Sequence, residues 1–228
     1  MDGLGVKGAF MFNYVEDKEY LSRVRSVCGE IMQDFCHTLK EDYDIGSTFY
    51  LVGSGAKNLI VQNASQPIDL DYNLEIVRCE DFEDCRTLFE CARKALNKAL
   101  SMNGWGDCED STSSLTTERR HFTQGNQTSF SMDVCIVVTD TQDRMHRLIH
   151  EKTGFIYYDR YYWNPAPHSS GIREKVDFIK RKGKWNLVRE QYLRLKNKYL
   201  TSNDYNHPSF ICYIEAVNNV YNSRMSWK

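Results

Sequence analysis

The sequence lacks the cysteine spacings that mark common metal and disulfide frameworks. None of its eight cysteines forms a C-x-x-C pair, and several fall within helical or strand patterns, where a free thiol packs as a small apolar side chain. We therefore expect reduced thiols. The cysteines are Cys28, Cys36, Cys79, Cys85, Cys91, Cys108, Cys135 and Cys212.

The sequence also has no run of apolar residues that approaches the length of a membrane span. Its first residues, MDGLGVKGAFMFNY, contain neither the basic region nor the apolar core of a signal peptide. These absences and the reduced thiols predict a cytoplasmic protein without a membrane partner.

A strong net charge is absent as well. The formal net charge is -2 over 228 residues, so nucleic acid is not attracted to the chain as a whole and would need a local basic face. No internal repeat or low-complexity tract is present. This length suits one large domain, or one domain with a helical appendage.

The most informative stretch runs from Phe49 to Ile76, where a Gly53-Ser54-Gly55 turn follows one apolar run and Asp69-Leu70-Asp71 lies in the next. Two carboxylates two residues apart on a strand point to the same face. Their Cα atoms are about 7 Å apart at roughly 3.3 Å of rise per residue. Such carboxylates can converge on two cations about 3.5 to 4 Å apart, the arrangement that handles phosphates. An isolated D-x-D is often incidental, so the interpretation depends on further acidic groups.

A third carboxylate lies in the apolar run Ser129 to Val138. The passage before it has polar turn residues, Gln124 to Gln127, between two runs that favour strands, which predicts pairing within a sheet. Asp133 has the opposite parity to Phe130, Met132, Val134 and Ile136. Burial of a carboxylate on so apolar a strand is costly without a partner cation.

These residues resemble the DNA polymerase β-like nucleotidyltransferase superfamily. Its pattern is an apolar strand, a glycine turn that opens a helix, a D-x-D strand and a later aspartate, matched here by Gly53-Ser54, Asp69, Asp71 and Asp133. The resemblance covers about residues 47–138. It implies transfer of a nucleoside monophosphate from a nucleoside triphosphate to a hydroxyl, with two Mg²⁺ ions as cofactors.

The resemblance also implies a role for each site residue. Asp69 and Asp71 would hold the metals that bind the triphosphate, and Asp133 would ligate the second metal and orient or deprotonate the attacking hydroxyl. Ser54 and the amides around Gly53 and Gly55 would contact the terminal phosphates, which agrees with the attraction of anions to backbone N–H groups at a helix start.

One position departs from the pattern. The long segment between Gly53 and Asp69 is similar to that of the tRNA nucleotidyltransferase and poly(A) polymerase branches, but Lys57-Asn58 stands where those branches have an Arg-Asp pair. Lys57 could contact a phosphate or could be a solvated helix residue.

Apolar periodicity predicts the remaining elements. We expect helices at Asp17 to Glu41, Ala56 to Gln62 and Phe82 to Met102, a strand at Thr48 to Val52, and a helical or irregular stretch through DRMHRLIHEK. A basic helical region from Ile172 to Leu200, interrupted near Gly183, and a last helix from Ser209 to Tyr221 complete the prediction.

Three weaker signals need interpretation. Gly3, Gly5 and Gly8 match a dinucleotide-binding fingerprint, but no strand precedes them, so we treat the match as chance. His146 and His150 have a zinc-compatible i, i+4 spacing but no further ligand, and we expect two surface residues and no zinc.

The third signal is the basic region together with the aromatic run before it. The basic residues could bind phosphates and the aromatic residues could stack on a base, or they could form a solvated helix face over an aromatic core. The residues are Arg173, Lys175, Lys180, Arg181, Lys182 and Lys184, and Tyr157, Tyr158, Tyr161, Tyr162 and Trp163.

The sequence thus predicts an α/β (α+β) fold, a short mixed sheet with helices packed on one face and a C-terminal helical region. We expect a catalytic domain over residues 1–150 and a mostly helical region over residues 151–228. The predicted function is a Mg²⁺-dependent nucleotidyltransferase whose partners are a nucleoside triphosphate and a hydroxyl acceptor: a small molecule, a protein or an RNA end. The alternatives are an inactive nucleotide-binding module with a regulatory or toxin-antitoxin role, and an RNA-terminal transferase.

Overall fold

The structure is a computed structural model that describes residues 11–166, 171–201 and 209–227. The fingerprint match at Gly3 to Gly8 lies outside these residues. The helices are α1 (Lys18–Tyr43), α2 (Gly53–Lys57), α3 (Cys85–Met102), α4 (Ile172–Arg181), α5 (Trp185–Thr201) and α6 (Ser209–Asn222). The strands are β1 (Phe12–Tyr14), β2 (Gly46–Leu51), β3 (Val61–Asn63), β4 (Ile68–Arg78), β5 (Glu109–Asp110), β6 (Leu115–Thr116), β7 (Phe130–Thr139), β8 (Met145–Glu151) and β9 (Arg160–Pro165).

The chain forms two compact units. The first, called the sheet unit, comprises residues 17–58 and 67–168. The second, called the helical unit, comprises residues 1–16, 59–66 and 169–228. The predicted domain division at residue 150 stays a prediction.

The sheet unit contains a seven-stranded mixed sheet. Strand β4 lies between β2 and β7. Strand β7 also pairs with β6 near its middle and with β8 near its end. Strand β5 then pairs with β6, and β9 pairs with β8. The pairing of β4 with β7 is parallel and the others are antiparallel. The predicted fold class is confirmed, and the run Ser129 to Val138 pairs within a sheet, as predicted.

Helices α1 and α3 lie on one face of this sheet. Tyr20 of α1 contacts Phe122, which contacts Phe130 of β7, and Phe89 of α3 contacts His150 of β8. The apolar residues of β4 and β7 that share the parity of Phe130 are buried on this face. The other face of the sheet carries the residues of opposite parity, among them the three aspartates.

Side-chain caps set the ends of the two long helices. Asp17 accepts a hydrogen bond from the Tyr20 backbone N–H and Asp84 accepts one from that of Thr87, so both are N-caps. The cap at Asp84 explains why α3 begins at Cys85 and not at the predicted Phe82. Strand β2 begins earlier than predicted, because Gly46 and Ser47 already pair with β4, and it ends earlier because Val52 is the N-cap of α2.

Two predicted elements were wrong. The helix predicted over Ala56 to Gln62 ends at Lys57, because Asn58 takes a left-handed conformation at φ 57° and the following residues form β3. The stretch DRMHRLIHEK is not helical but forms β8, because it pairs with both β7 and β9. Asp140 starts this hairpin by accepting hydrogen bonds from the backbone N–H groups of Gln142 and Arg144.

The helical unit has its own core. Helices α4, α5 and α6 bury one apolar cluster that includes Ile179, Val188, Tyr192 and Val217. Gly183 separates α4 from α5 at φ 65°, and α6 begins at Ser209, as predicted. In the described part of the chain, no helix combines the length and apolarity needed to span a membrane.

Candidate active site

The three aspartates lie on one face of the sheet, opposite α1 and α3. Asp71 of β4 pairs with Asp133 of β7, and Asp69 pairs with Ser131. Paired residues on neighbouring strands point to the same side of a sheet, and residues two apart on one strand do so as well. The fold therefore brings together carboxylates that are more than 60 residues apart in sequence.

The glycine turn lies directly against this group. A Cβ atom on Gly53 would be 2.1 Å from Oδ2 of Asp71, and Gly53 has φ +59°, so a side chain is excluded by both space and conformation. The Val52 N–H donates to the Asp71 carbonyl at 2.8 Å, which fixes the turn to β4. Ser54 follows in the first turn of α2, and Gly55 is buried against Leu70.

Lys57 also belongs to this neighbourhood. Its Nζ donates to the Gly53 carbonyl at 3.0 Å, and its charge favours the ionised form of Asp71. Lys57 therefore lies beside the turn and the acidic group, and its contact with a phosphate stays a prediction.

The electrostatics of the site reflect the crowding of like charges. Burial, with the neighbouring carboxylates Asp133 and Asp69, raises the pKa of Asp71 to about 6. Burial also raises the pKa of Asp133, with a contribution from Asp69, against the opposing effect of a hydrogen bond from Thr116. Two of the three acids thus lie where their ionised form is disfavoured until a positive charge approaches.

Two hydroxyl groups hold carboxylates of the site. Ser131 donates to Oδ1 of Asp69, and Thr116 of β6 donates to Oδ1 of Asp133. Sequence reasoning assigned a role to neither hydroxyl. The parity of Ser131 along its strand could have indicated its position. The position of Thr116 depends on the pairing of β6 with β7, which local sequence does not show.

The donor set suits a divalent cation. Three carboxylates at one place, two with raised pKa, are the oxygen ligands that Mg²⁺ prefers. Within the described residues, no group of three or more acidic, histidine or cysteine side chains already has the convergent arrangement of a metal site. Asp69 and Asp133 each accept a hydrogen bond at Oδ1, from Ser131 and Thr116 respectively.

The two histidines differ from the prediction. They lie on a strand and not a helix, and His150 is buried at 4% exposure. Asp110 Oδ2 lies 2.7 Å from its Nδ1, Asp159 Oδ2 lies 3.2 Å from its Nε2, and Tyr161 stacks on its ring. This group is on the helix-covered face of the sheet, away from the three aspartates.

The aromatic run divides into partly buried and exposed members. Tyr161 packs on His150, and Trp163 donates through Nε1 to the Phe82 carbonyl, so both have structural contacts. Tyr157 and Tyr158 are exposed. The basic residues of α4 lie in the helical unit, where Lys175 donates to Asn218 and Lys180 lies over the Trp185 ring.

Comparison with known proteins identifies the fold. No family model matches the sequence, and no curated protein matches it. Among solved structures, the chain is similar to Vibrio cholerae DncV cyclic AMP-GMP synthase in complex with the linear intermediate pppA(3′,5′)pG, with a TM-score of 0.63 and 12% identity over 94% of this chain and 74% of that one. It is also similar to E. coli MS115-1 CdnC with ATP, with a TM-score of 0.52 and 16% identity over 92% of this chain and 62% of that one.

The chain therefore has the nucleotidyltransferase fold. The resemblance seen in the sequence is confirmed for the fold. The solved structures with this fold bind nucleotides: the DncV and CdnC chains hold a linear dinucleotide and ATP.

Proposed function

We propose that the protein is a nucleotidyltransferase that moves a nucleoside monophosphate from a nucleoside triphosphate to a hydroxyl. One observation carries the proposal: Asp69, Asp71 and Asp133 share one face of the sheet, and the Gly53 backbone lies against Asp71 without space for a side chain. Such a site combines carboxylates that can bind cations with a backbone turn open to a phosphate group.

Each residue has an assigned part. Asp69, Asp71 and Asp133 would hold two Mg²⁺ ions, which supply neutralisation of phosphate charge and activation of the attacking hydroxyl. The turn at Gly53, Ser54 and Gly55 would bind the terminal phosphates, with the Lys57 ammonium close by.

The reaction is an in-line displacement at the α-phosphorus. The acceptor oxygen forms a bond to phosphorus, the bond from phosphorus to the β-phosphate oxygen breaks, and pyrophosphate leaves. We assign the hydroxyl proton to Oδ2 of Asp133, because Thr116 donates to Oδ1 of the same carboxylate.

The acceptor that the fold supports best is the hydroxyl of a second nucleotide. DncV, with a TM-score of 0.63, is a cyclic AMP-GMP synthase caught with a linear dinucleotide, so the same fold accommodates two nucleotides. Incubation with ATP, GTP and Mg²⁺ followed by mass spectrometry would reveal linear or cyclic dinucleotide products. The absence of dinucleotide products would favour a small molecule, a protein or an RNA end as the acceptor.

The decisive experiment for the transfer itself is pyrophosphate release by Asp133→Asn. We expect a loss of at least about 100-fold, because the amide can neither accept the proton nor ligate a cation as strongly. Asp143→Asn is the matched control, since Asp143 lies in the exposed β7–β8 turn at φ 57°, a conformation that asparagine tolerates. Equal release by Asp133→Asn and the wild type would overturn the assignment of Asp133, and no release by the wild type would leave a nucleotide-binding module without catalysis.

A further inference from the structure

Thr116 lies between two residues that are fixed to strand β7. Leu115 pairs with Val134 and is fully buried. The Thr117 N–H donates to the Met132 carbonyl, and the Thr117 hydroxyl accepts from the Met132 N–H, both at 2.9 Å. Because side chains alternate across a strand, Thr116 leaves the sheet on the opposite face from its two neighbours, beside the three aspartates. The backbone on both sides of Thr116 is thus held against β7.

The hydroxyl of Thr116 holds one oxygen of Asp133. The two residues pair directly across β6 and β7, and Oγ1 donates to Oδ1 at 2.5 Å. Among the residues that the structure describes, no second hydrogen bond reaches this carboxylate. A β-branched side chain has few χ1 rotamers, so the position of the donor is itself restricted. The contact therefore limits the rotation of the carboxylate and leaves Oδ2 for other partners.

Thr116 and Asp71 lie on opposite sides of Asp133. Strand β6 pairs with one edge of β7 and β4 pairs with the other, and the register sets Asp133 across from both residues. Like charges repel, so two neighbouring carboxylates without a hydrogen-bond donor take up several orientations that keep their oxygens apart. The hydrogen bond from the β6 side selects one orientation, in which Oδ1 is turned toward β6.

We infer that Thr116 is a positioning residue for nucleotide transfer, acting through Asp133. This inference rests on the proposed function, in which Oδ2 of Asp133 takes the proton of the attacking hydroxyl. A hydrogen bond that orients a functional carboxylate typically contributes about 10- to 100-fold to activity. The donor triphosphate is assigned to the glycine turn and to Asp69 and Asp71, so Thr116 affects the chemical step and not nucleotide binding.

Two substitutions separate the hydroxyl from the shape of the side chain. Thr116→Val keeps the branched shape and removes the donor, and Thr116→Ser keeps the donor. In ATP, GTP and Mg²⁺, we expect Thr116→Val to lower kcat for pyrophosphate release by at least about tenfold and Thr116→Ser to stay within about threefold of the wild type. Calorimetric titration with an ATP analogue that has a methylene between its α- and β-phosphates should give the wild-type affinity for both variants, which also shows that they are folded.

Thr139→Val is the matched control. The Thr139 Oγ1 donates to Oε1 of Glu75 on β4 at 2.5 Å, so this residue too is a threonine that holds a carboxylate on a neighbouring strand. It lies at the exposed end of β7, about 20 Å along the strand from Asp133. Its substitution should leave both kcat and the affinity for the analogue unchanged.

The outcomes separate this inference from the proposed function. Equal kcat of Thr116→Val and the wild type would overturn the role of Thr116 and leave the proposed function intact. An equal loss of kcat in Thr116→Ser or Thr139→Val, or an equal loss of affinity for the analogue in Thr116→Val, would also overturn it, since each indicates packing and not the hydroxyl. No pyrophosphate release by the wild type would refute the proposed function itself, and the role of Thr116 with it.

Discussion

Gly53 is the residue at which the backbone and the acidic group meet. An added methyl group would overlap Oδ2 of Asp71 at 2.1 Å and would have to adopt φ +59°. We expect Gly53→Ala to lose most of its nucleotide binding and activity, because the Asp71 carboxylate or the turn has to move. Thermal unfolding and titration with nucleoside triphosphate in Mg²⁺ measure the two effects.

Gly104 offers a control for the backbone part of this effect. It has φ +74°, and no atom lies within 4 Å of its added Cβ, so Gly104→Ala carries the conformational cost alone, about 1–2 kcal/mol. If Gly53→Ala and Gly104→Ala lose the same stability and both keep nucleotide binding, the contact between the turn and Asp71 has no functional importance.

Asp71 makes the stability of the cation-free protein depend on pH. Its folded-state pKa of about 6 lies above the ordinary value of 3.8, so the folded protein binds more protons between these values than the unfolded chain. Stability contributed by the protonated acid is therefore present below about pH 4 and is lost as the pH rises through 6.

Asp71→Asn should remove this penalty. In the presence of a chelator we expect the variant to be more stable than the wild type at pH 7.5 by about 1–2 kcal/mol, a figure that allows for solvent screening of the shift. The difference should shrink at pH 4.5. Urea denaturation at both pH values measures it, and a variant that is less stable at pH 7.5 would refute the electrostatic account.

Strand β8 shows how far local sequence determines this fold. The long helices α1 and α3 follow from apolar periodicity, and the D-x-D strand follows from the apolar run that contains Asp69 and Asp71. The residues of β8 are strand-forming only because β7 and β9 hydrogen-bond to both of its edges. Such pairing is non-local, so the position of His150 could not be read from the spacing of residues in one segment.

The candidate site was predictable from the sequence to about the same degree as the fold. The three aspartates and the glycine turn have a recognisable order in the sequence, and the parallel register of β4 and β7 then aligns Asp71 with Asp133. Thr116 reaches Asp133 from a two-residue strand that carries almost no periodic signal. Residues placed by short strands and by neighbours in the sheet were therefore the ones that sequence reasoning missed.

His150 links three strands on the helix-covered face. It lies on β8 and contacts Asp110 of β5 and Asp159, the residue before β9, with side-chain exposures of 5%, 20% and 9%. Truncation would remove the histidine contact from two carboxylates of low exposure, leaving Asp110 with Lys152 and Asp159 with Thr153. We expect His150→Ala to lower the free energy of unfolding by about 2–4 kcal/mol, measured by urea denaturation.

His146→Ala is the control for this loss. His146 contacts Asp140 from a more exposed position, with side-chain exposures of 21% and 25%, so its removal should cost less than about 1 kcal/mol. Equal losses of unfolding free energy in the two variants would show that the contacts on both ring nitrogens of His150 add nothing to stability.

The charge of the protein as a whole bears on the choice of acceptor. A net charge of -2 gives no general attraction for a polyanion, and the basic residues of α4 are mixed with Glu174 and Asp177 on the same helix. An RNA-terminal transferase that neutralises several phosphates would lose affinity steeply with salt, about 10³-fold or more between 50 and 200 mM for six contacts. An enzyme that accepts a single nucleotide has no need of such contacts.

We therefore expect weak binding of single-stranded RNA at 50 mM salt and only a shallow dependence up to 200 mM, measured by fluorescence anisotropy with a labelled oligonucleotide. Lys180→Gln and Arg181→Gln should leave this binding unchanged, since Glu174 and Asp177 on the same helix offset the charge of both cations. Tight binding with a steep salt dependence, reduced by either substitution, would instead favour an RNA end as the acceptor over the mononucleotide proposed here, with the same three aspartates at the centre of the reaction.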